Sequence, residues 1–239
     1  SITLEHPDAI FEFSMCLLYG EGIKQDEKEG ERLIEIAAKK NSINAQAMLG
    51  AFYINGSLLF EKDHKKALKY LEIAAKEEHP EALTNLSYMY KNSIGVKEDL
   101  ILSFKYMQKA SYAGYSHAQY HLSNFYFNGI GVKIDHAKAM NLLDESLKKE
   151  YPSAIITKAR LLLEGKYLEK NIALSEKLYI NYIELENDFE VLIELIENYI
   201  NGLLGVKSRE QILFLLEKCV NNSNDDNIID KAKKIIGKI

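Results

Sequence analysis

A chain of 239 residues with 47% hydrophobic residues and only three prolines is too apolar for a disordered segment. It is also longer than a typical single globular core, which leaves two domains or one elongated array of repeats. The 30 basic residues against 35 acidic ones give a net charge of -5, which excludes a general attraction to nucleic acid or anionic membrane.

Cys16 and Cys219 stand near opposite ends and belong to no CxxC or Cys/His cluster, a pattern that points to a reduced, cytoplasmic protein. The opening SITLEHPDAI lacks the basic, apolar and small-residue order of a signal peptide. No apolar run reaches the roughly 18 residues of a transmembrane helix. Because the chain begins at Ser1 rather than Met, an exported protein whose leader was removed is the alternative.

Taken in chain order, the segments FEFSMCLLYGEG from Phe11, AQAMLGAFYING from Ala45, ALTNLSYMYKNS from Ala82, AQYHLSNFYFNG from Ala118, AIITKARLLLEG from Ala154 and VLIELIENYING from Val191 repeat with a period of about 36 residues. Each reaches an aromatic or leucine at the same place: Tyr19, Tyr53, Tyr90, Tyr126, Leu162 and Tyr199. A polar residue suited to cap a second helix follows at Asp26, Asp63, Asp99, Asp135, Asn171 and Ser208. Asp26 with Glu29 reads as a capping box. Pro7, Pro80 and Pro152 mark the starts of first helices, where a missing N–H costs nothing.

Within a unit the apolar spacing is helical: Ala118, Leu122, Phe125 and Tyr126 share one face, and Ala139, Leu142, Leu143 and Leu147 mark a second helix. Small residues at Cys16, Gly50, Ser87, Ser123 and Ala159, and at Ala37, Ala74 and Ala110, would let helices approach closely. Ile228, Ile229, Ala232, Ile235, Ile236 and Ile239 form the apolar stripe of a terminal helix, preceded by a polar turn, NNSNDDN.

An antiparallel helix pair cannot bury its apolar face alone, so neighbours must stack. The expected fold is all-α, a right-handed α-α superhelix (solenoid) of about six helix pairs in a single domain, residues 1–239. Its repeats fall near 8–41, 42–79, 80–115, 116–151, 152–188 and 189–222, with a capping helix over 226–239.

The order Ala, Leu-Gly, Tyr, Gly-x-Gly-Val, Asp, Lys-Ala, aromatic, Ala-Ala resembles the Sel-one-like repeat (SLR), a relative of the tetratricopeptide repeat. It is seen best in Ala45, Leu49, Gly50, Tyr53, Gly56, Asp63, Lys66, Ala67, Tyr70, Ala74 and Ala75, and in Ala118, Leu122, Tyr126, Gly129, Gly131, Val132, Asp135, Lys138 and Ala139. Ser93 in place of the first loop glycine, Lys158 in place of the usual leucine and two weak last copies depart from the pattern. The resemblance implies an adaptor that binds other proteins.

His117 and His121, four apart on one helix, have the spacing of a metal pair, but no third ligand is evident and no HExxH motif is present. GIGVK recurs as SIGVK and LGVK, so it reads as a repeat turn rather than a phosphate loop. Ser146 and Lys149 form SxxK, yet the companion SDN and KTG elements of β-lactamase-like enzymes are missing. The sequons at Asn55, Asn85 and Asn221 occur at chance frequency. No catalytic, cofactor-binding or metal-binding residue is therefore assigned, and the chain is read as a non-enzyme.

In stacked helix pairs the first helices line a concave surface, exposing the positions 2, 3, 6 and 9 after each start. These positions give Thr84, Asn85, Tyr88 and Lys91, then Tyr120, His121, Asn124 and Phe127, then Ile156, Thr157, Arg160 and Leu163, of which Ile156 and Leu163 can equally be core. With His117, they give a candidate partner-binding set of Thr84, Asn85, Tyr88, Lys91, His117, Tyr120, His121, Asn124, Phe127 and Arg160. The acidic run through Glu184, Glu186, Asp188, Glu190, Glu194 and Glu197 is a solvated face or an edge for a basic partner. The resulting expectation is a monomeric, non-catalytic module for a protein partner, without nucleic acid or membrane span. The alternatives are a bacterial immunity protein or inhibitor neutralising a toxin, and an exported host-interaction factor.

Overall fold

Pro7, Pro80 and Pro152 each occupy the first turn of a helix, and the segments they open alternate with segments opened by a side-chain cap. The computed structural model describes residues 6–238. Among these residues it contains thirteen α-helices and no strand. They are α1 (Pro7–Tyr19), α2 (Glu27–Lys39), α3 (Ile43–Asn55), α4 (His64–Lys76), α5 (Pro80–Lys91), α6 (Leu100–Tyr112), α7 (Ser116–Asn128), α8 (His136–Lys148), α9 (Pro152–Glu164), α10 (Ile172–Glu186), α11 (Phe189–Ile200), α12 (Arg209–Asn222) and α13 (Asp226–Ile236). Odd-numbered helices through α11 are the first helices of the repeats and even-numbered ones the second. Two compact units divide the chain, one ending at Leu142 and one beginning at Leu143, inside α8.

In the first unit the paired helices meet at small residues. A Cβ at Gly50 would lie 2.6 Å from the Leu71 side chain, and one at Gly30 would lie 2.8 Å from Leu18. In the α5/α6 pair two buried serines exchange bonds across the crossing: Ser87 Oγ donates to the Ser103 carbonyl (2.8 Å) and Ser103 Oγ to the Ser87 carbonyl (2.7 Å). Each hydroxyl thereby satisfies itself on a neighbouring helix instead of being buried unpaired. Leu49, Leu71, Leu86, Ala74 and Ala110 fill the core around these crossings with almost no exposure.

A polar ladder links successive first helices of this unit. The residue preceding one helix bonds the first turn of the helix before it: Ser42 Oγ to Asp8 Oδ1 (2.8 Å), His79 Nε2 with Asn44 Oδ1 (3.0 Å), and Tyr115 OH to Glu81 Oε1 (2.9 Å). The chain enters each of these helices through a left-handed residue, Asn41, Glu78 and Gly114, and Glu150 and Asn187 do the same in the second unit.

The Gly-x-Gly-Val turn owes its second glycine to a close backbone approach. A Cβ on Gly131 (φ +65°) would overlap the Leu100 carbonyl at the start of α6, and one on Gly95 would overlap the His64 side chain at the start of α4. The corresponding loop after α3 lacks that glycine and is held otherwise. The buried Glu31 carboxylate of α2 accepts bonds from the Ser57 hydroxyl (2.9 Å) and from the backbone N–H of Leu58 (3.1 Å) and Leu59 (2.7 Å).

In the second unit, Ile156, Leu163, Tyr179, Ile193, Leu195, Ile196, Leu216 and Ala232 are core. Ser175 Oγ donates to the Ala159 carbonyl (2.7 Å), repeating the serine crossing. Lys158, which replaces the usual leucine, is nearly buried and ends on Asp144 Oδ1 (2.7 Å), so an ion pair occupies a site filled elsewhere by Leu49, Leu86 and Leu122.

The second-helix caps form as expected at Asp26, Asp63, Asp99, Asp135, Asn171 and Ser208. The box at Asp26 does not close: Arg32 engages Glu29 through both carboxylate oxygens (2.6 and 2.7 Å), one turn further on. A reciprocal box forms instead between Ser208 and Gln211. The polar run before the last helix is partly helical, because α12 continues to Asn222. The terminal helix ends at Ile236, and Ile239 lies outside the described residues.

Gly131→Ala is expected to lower unfolding free energy in urea by about 2–3 kcal/mol, since it combines left-handed strain with displacement of the Leu100 carbonyl. Gly22→Ala, with φ +72° but open space around it, should cost only about 1 kcal/mol. Equal losses would show that the contact with α6 contributes nothing.

Candidate functional site

Three successive first helices of the first unit, α3, α5 and α7, border a groove of about 390 Å³. Its floor is apolar: Ile54, Met107 and Phe125 are almost fully buried. Its walls are polar, with Asn55 from α3, Asn85, Tyr88 and Lys91 from α5, and His117 and His121 from α7. Tyr88 is 51% exposed, and Lys91 stands beside it at the rim.

Among the described residues no aspartate or glutamate lines this groove. The Lys91 ammonium lies 5.8 Å from the Phe125 ring centroid, within cation–π reach, and among the described residues no carboxylate pairs with it. His121 Nε2 sits 3.0 Å from His117 Nε2, a geometry in which one neutral ring donates and the other accepts. Burial, reinforced by His117 and Lys91, brings His121 down to about 4. Burial also lowers His117, opposed by Glu81, whose carboxylate accepts the Tyr115 hydroxyl.

Of the residues singled out from sequence, the groove brings together Thr84, Asn85, Tyr88, Lys91, His117 and His121. Thr84 is mostly buried and its hydroxyl is turned onto the Pro80 carbonyl (2.9 Å). Tyr120, Asn124 and Phe127 are half-buried on α7 and do not line it. Tyr120 packs edge-on to His121, and Phe127 lies against the core and near the His136 ring. Arg160 lies in the other unit, held by both oxygens of Glu194 (2.9 and 2.5 Å), which also accepts the Tyr179 hydroxyl.

Asn55, Ile54, Ser87, Met107 and Phe125 were absent from the candidate set. On α7, Phe125 continues the spacing of four set by His117 and His121, a signal the sequence displays.

The acidic run divides in the same way. Asp188 caps α11 through the Val191 N–H and accepts the Tyr182 hydroxyl, Glu194 is paired with Arg160, and Glu197 lies 4.0 Å from Lys231. Glu184, Glu186 and Glu190 remain exposed. Ser146 of the SxxK pair is fully buried in α8, while Lys149 lies beyond the helix end. Among the described residues no three His, Cys, Asp or Glu side chains converge as a metal set, and no helix is long and apolar enough to cross a membrane.

The model of the Sel1 repeat matches residues 7–42, 43–79, 80–115 and 116–149. The chain belongs to the Sel1 repeat family. Sel1 repeat proteins generally mediate protein–protein interactions as non-catalytic scaffolds. Among solved structures, a Sel1 repeat protein from Oxalobacter formigenes is 24% identical, with 97% of this chain and 87% of that one covered and a TM-score of 0.74. An immunity protein from Pseudomonas aeruginosa is 15% identical, with 98% and 81% covered and a TM-score of 0.58. These likenesses show the fold, which is the all-α helix-pair repeat class read from the sequence. Chitin synthase regulatory factor 2 of Schizosaccharomyces pombe is 28% identical over 101 residues, 41% of this chain. The Sel1 chain matches only 20% of that curated protein's length.

The neutral histidine pair makes the first unit sensitive to acid. His121 titrates near 4 in the folded chain and near 6.5 when unfolded, so its contribution is fully present above about 6.5 and is lost as pH falls toward 4. Unfolding free energy in urea should therefore hold between pH 8 and 7 and decline from pH 6.5 to 4.5 by an amount on the order of 2–3 kcal/mol. His121→Asn should flatten that decline; an unchanged profile would place the acid sensitivity elsewhere.

Proposed function

We propose that this Sel1 repeat chain is a non-catalytic module that binds a partner protein through the surface of its first helices, centred on the groove between α3, α5 and α7. The observation that carries this reading is the combination of an apolar floor with exposed Tyr88 and unspent Asn85 and Lys91 above it. Rigid aromatics beside polar donors over a dry base are the composition of a binding hot spot. Tyr120 and Asn124 extend the same helix surface; in the second unit, taken by itself, Arg160 is fixed on Glu194 and would act as a positioned rather than a mobile contact. The module would work as a monomer in a reducing cytoplasm, where Cys16 and Cys219 remain free thiols. An exported setting is the alternative.

Affinity capture from native lysate with the full chain should recover a protein that Tyr88→Ala loses, while the melting temperature of the variant stays within about 2 °C of the parent. Recovery that is indifferent to Tyr88→Ala would move the interface away from this groove.

A second reading, an inhibitor or immunity protein that neutralises a basic toxin, draws on the exposed Glu184, Glu186 and Glu190. The fold shared with the Pseudomonas immunity protein fits it without naming a partner. For such a complex, affinity should fall steeply between about 50 and 300 mM salt. Replacing the three glutamates by glutamine should remove most of that dependence. A salt-independent complex, or one unaffected by the three changes, would exclude this edge.

A further inference from the structure

Resting on the groove as the binding site, we infer that its occupant is a peptide segment of the partner carrying an aspartate or glutamate beside an apolar side chain. The inference comes from a local reversal of charge. The chain as a whole has 35 acidic and 30 basic residues, yet this groove collects one lysine, two asparagines and two histidines. Glu81, the carboxylate acting on His117, is exposed outside the lining and held by Tyr115.

The donors are not otherwise spent. Asn85 makes no side-chain hydrogen bond among the described residues, and Asn55 has only a long 3.4 Å contact to its own helix. Lys91 rests over Phe125 without an anionic partner among the described residues, so an incoming carboxylate would gain an ion pair without breaking one. Burying a partner's carboxylate is favourable only where such a cation and donors await it.

The number and kind of charges select among anions. One ammonium with neutral amides and neutral imidazoles matches a single negative charge. A phosphate carries nearly two negative charges and is best matched by the forked guanidinium of arginine, and no arginine lines the groove. The floor of Ile54, Met107 and Phe125 supplies the second half of the recognition. It would take an aliphatic or aromatic side chain next to the acidic one, excluding water from the ion pair.

The test is a random dodecapeptide library displayed on phage and panned against the full chain, followed by fluorescence anisotropy with labelled copies of the selected peptides. The selected sequences should be enriched in Asp or Glu adjacent to an apolar residue. Changing that Glu to Gln in the peptide, or Lys91→Met in the protein, should each weaken binding about tenfold, and the two together no more than either alone. Full additivity of the two changes, or tighter binding when phosphoserine replaces the Glu, would overturn the inference. Selection of Tyr88-dependent peptides with no acidic enrichment would overturn it too, while leaving the groove as the binding site. If no selected peptide depended on Tyr88 or Lys91, both readings would fall.

Discussion

A helix pair of about 36 residues has too little apolar surface of its own to close a core, so everything in this chain depends on how near two helices can come. The crossings are made at glycine, alanine and serine because each extra side-chain atom would push the axes apart. Gly50 lets the Leu71 side chain reach the backbone of its partner helix, and Ser87 with Ser103 turns the same approach into two hydrogen bonds. With the first and second helices held so close, the larger residues around them, such as Leu49 and Leu86, are sealed in. The polar ladder of Ser42, His79 and Tyr115 then sets how one pair is offset from the next.

Most of this arrangement was legible in the sequence because helical period, capping aspartates and loop glycines are local signals. The six capping residues and the three prolines fall where their chemistry places them. What escaped was set by neighbours distant in sequence. Nothing near Glu31 announces that it will clamp a loop more than two dozen residues away, and nothing near Glu29 shows that Arg32 will take it from the capping box. Lys158 looked like a defect in the repeat and proved to be paired with Asp144 of the preceding helix.

The candidate site was half legible for a related reason. Counting from each repeat start identified Asn85, Tyr88 and Lys91 on α5, and His121 on α7 at the repeat position of Asn85. The wall on α7 is completed by His117 and by Phe125, which the helical spacing placed on the core face and not in the site. Tyr120 and Phe127 have the same repeat positions as Thr84 and Lys91 but do not border this groove. Arg160 shows a different limit: its type and position suited recognition, but Glu194 one repeat later already holds it.

Since the walls come from α3, α5 and α7, the smallest piece of this molecule that can carry the groove is a run of three consecutive repeats in fixed register. Such proteins lengthen and shorten by whole repeats, and each repeat touches only its immediate neighbours. Duplication or loss at either end would leave the triplet untouched, whereas a single repeat inserted between α3 and α7 would erase it in one step. The history of such a chain is thus expected to be permissive at its margins and rigid across its second to fourth repeats, a pattern of tolerated length set by geometry rather than by stability.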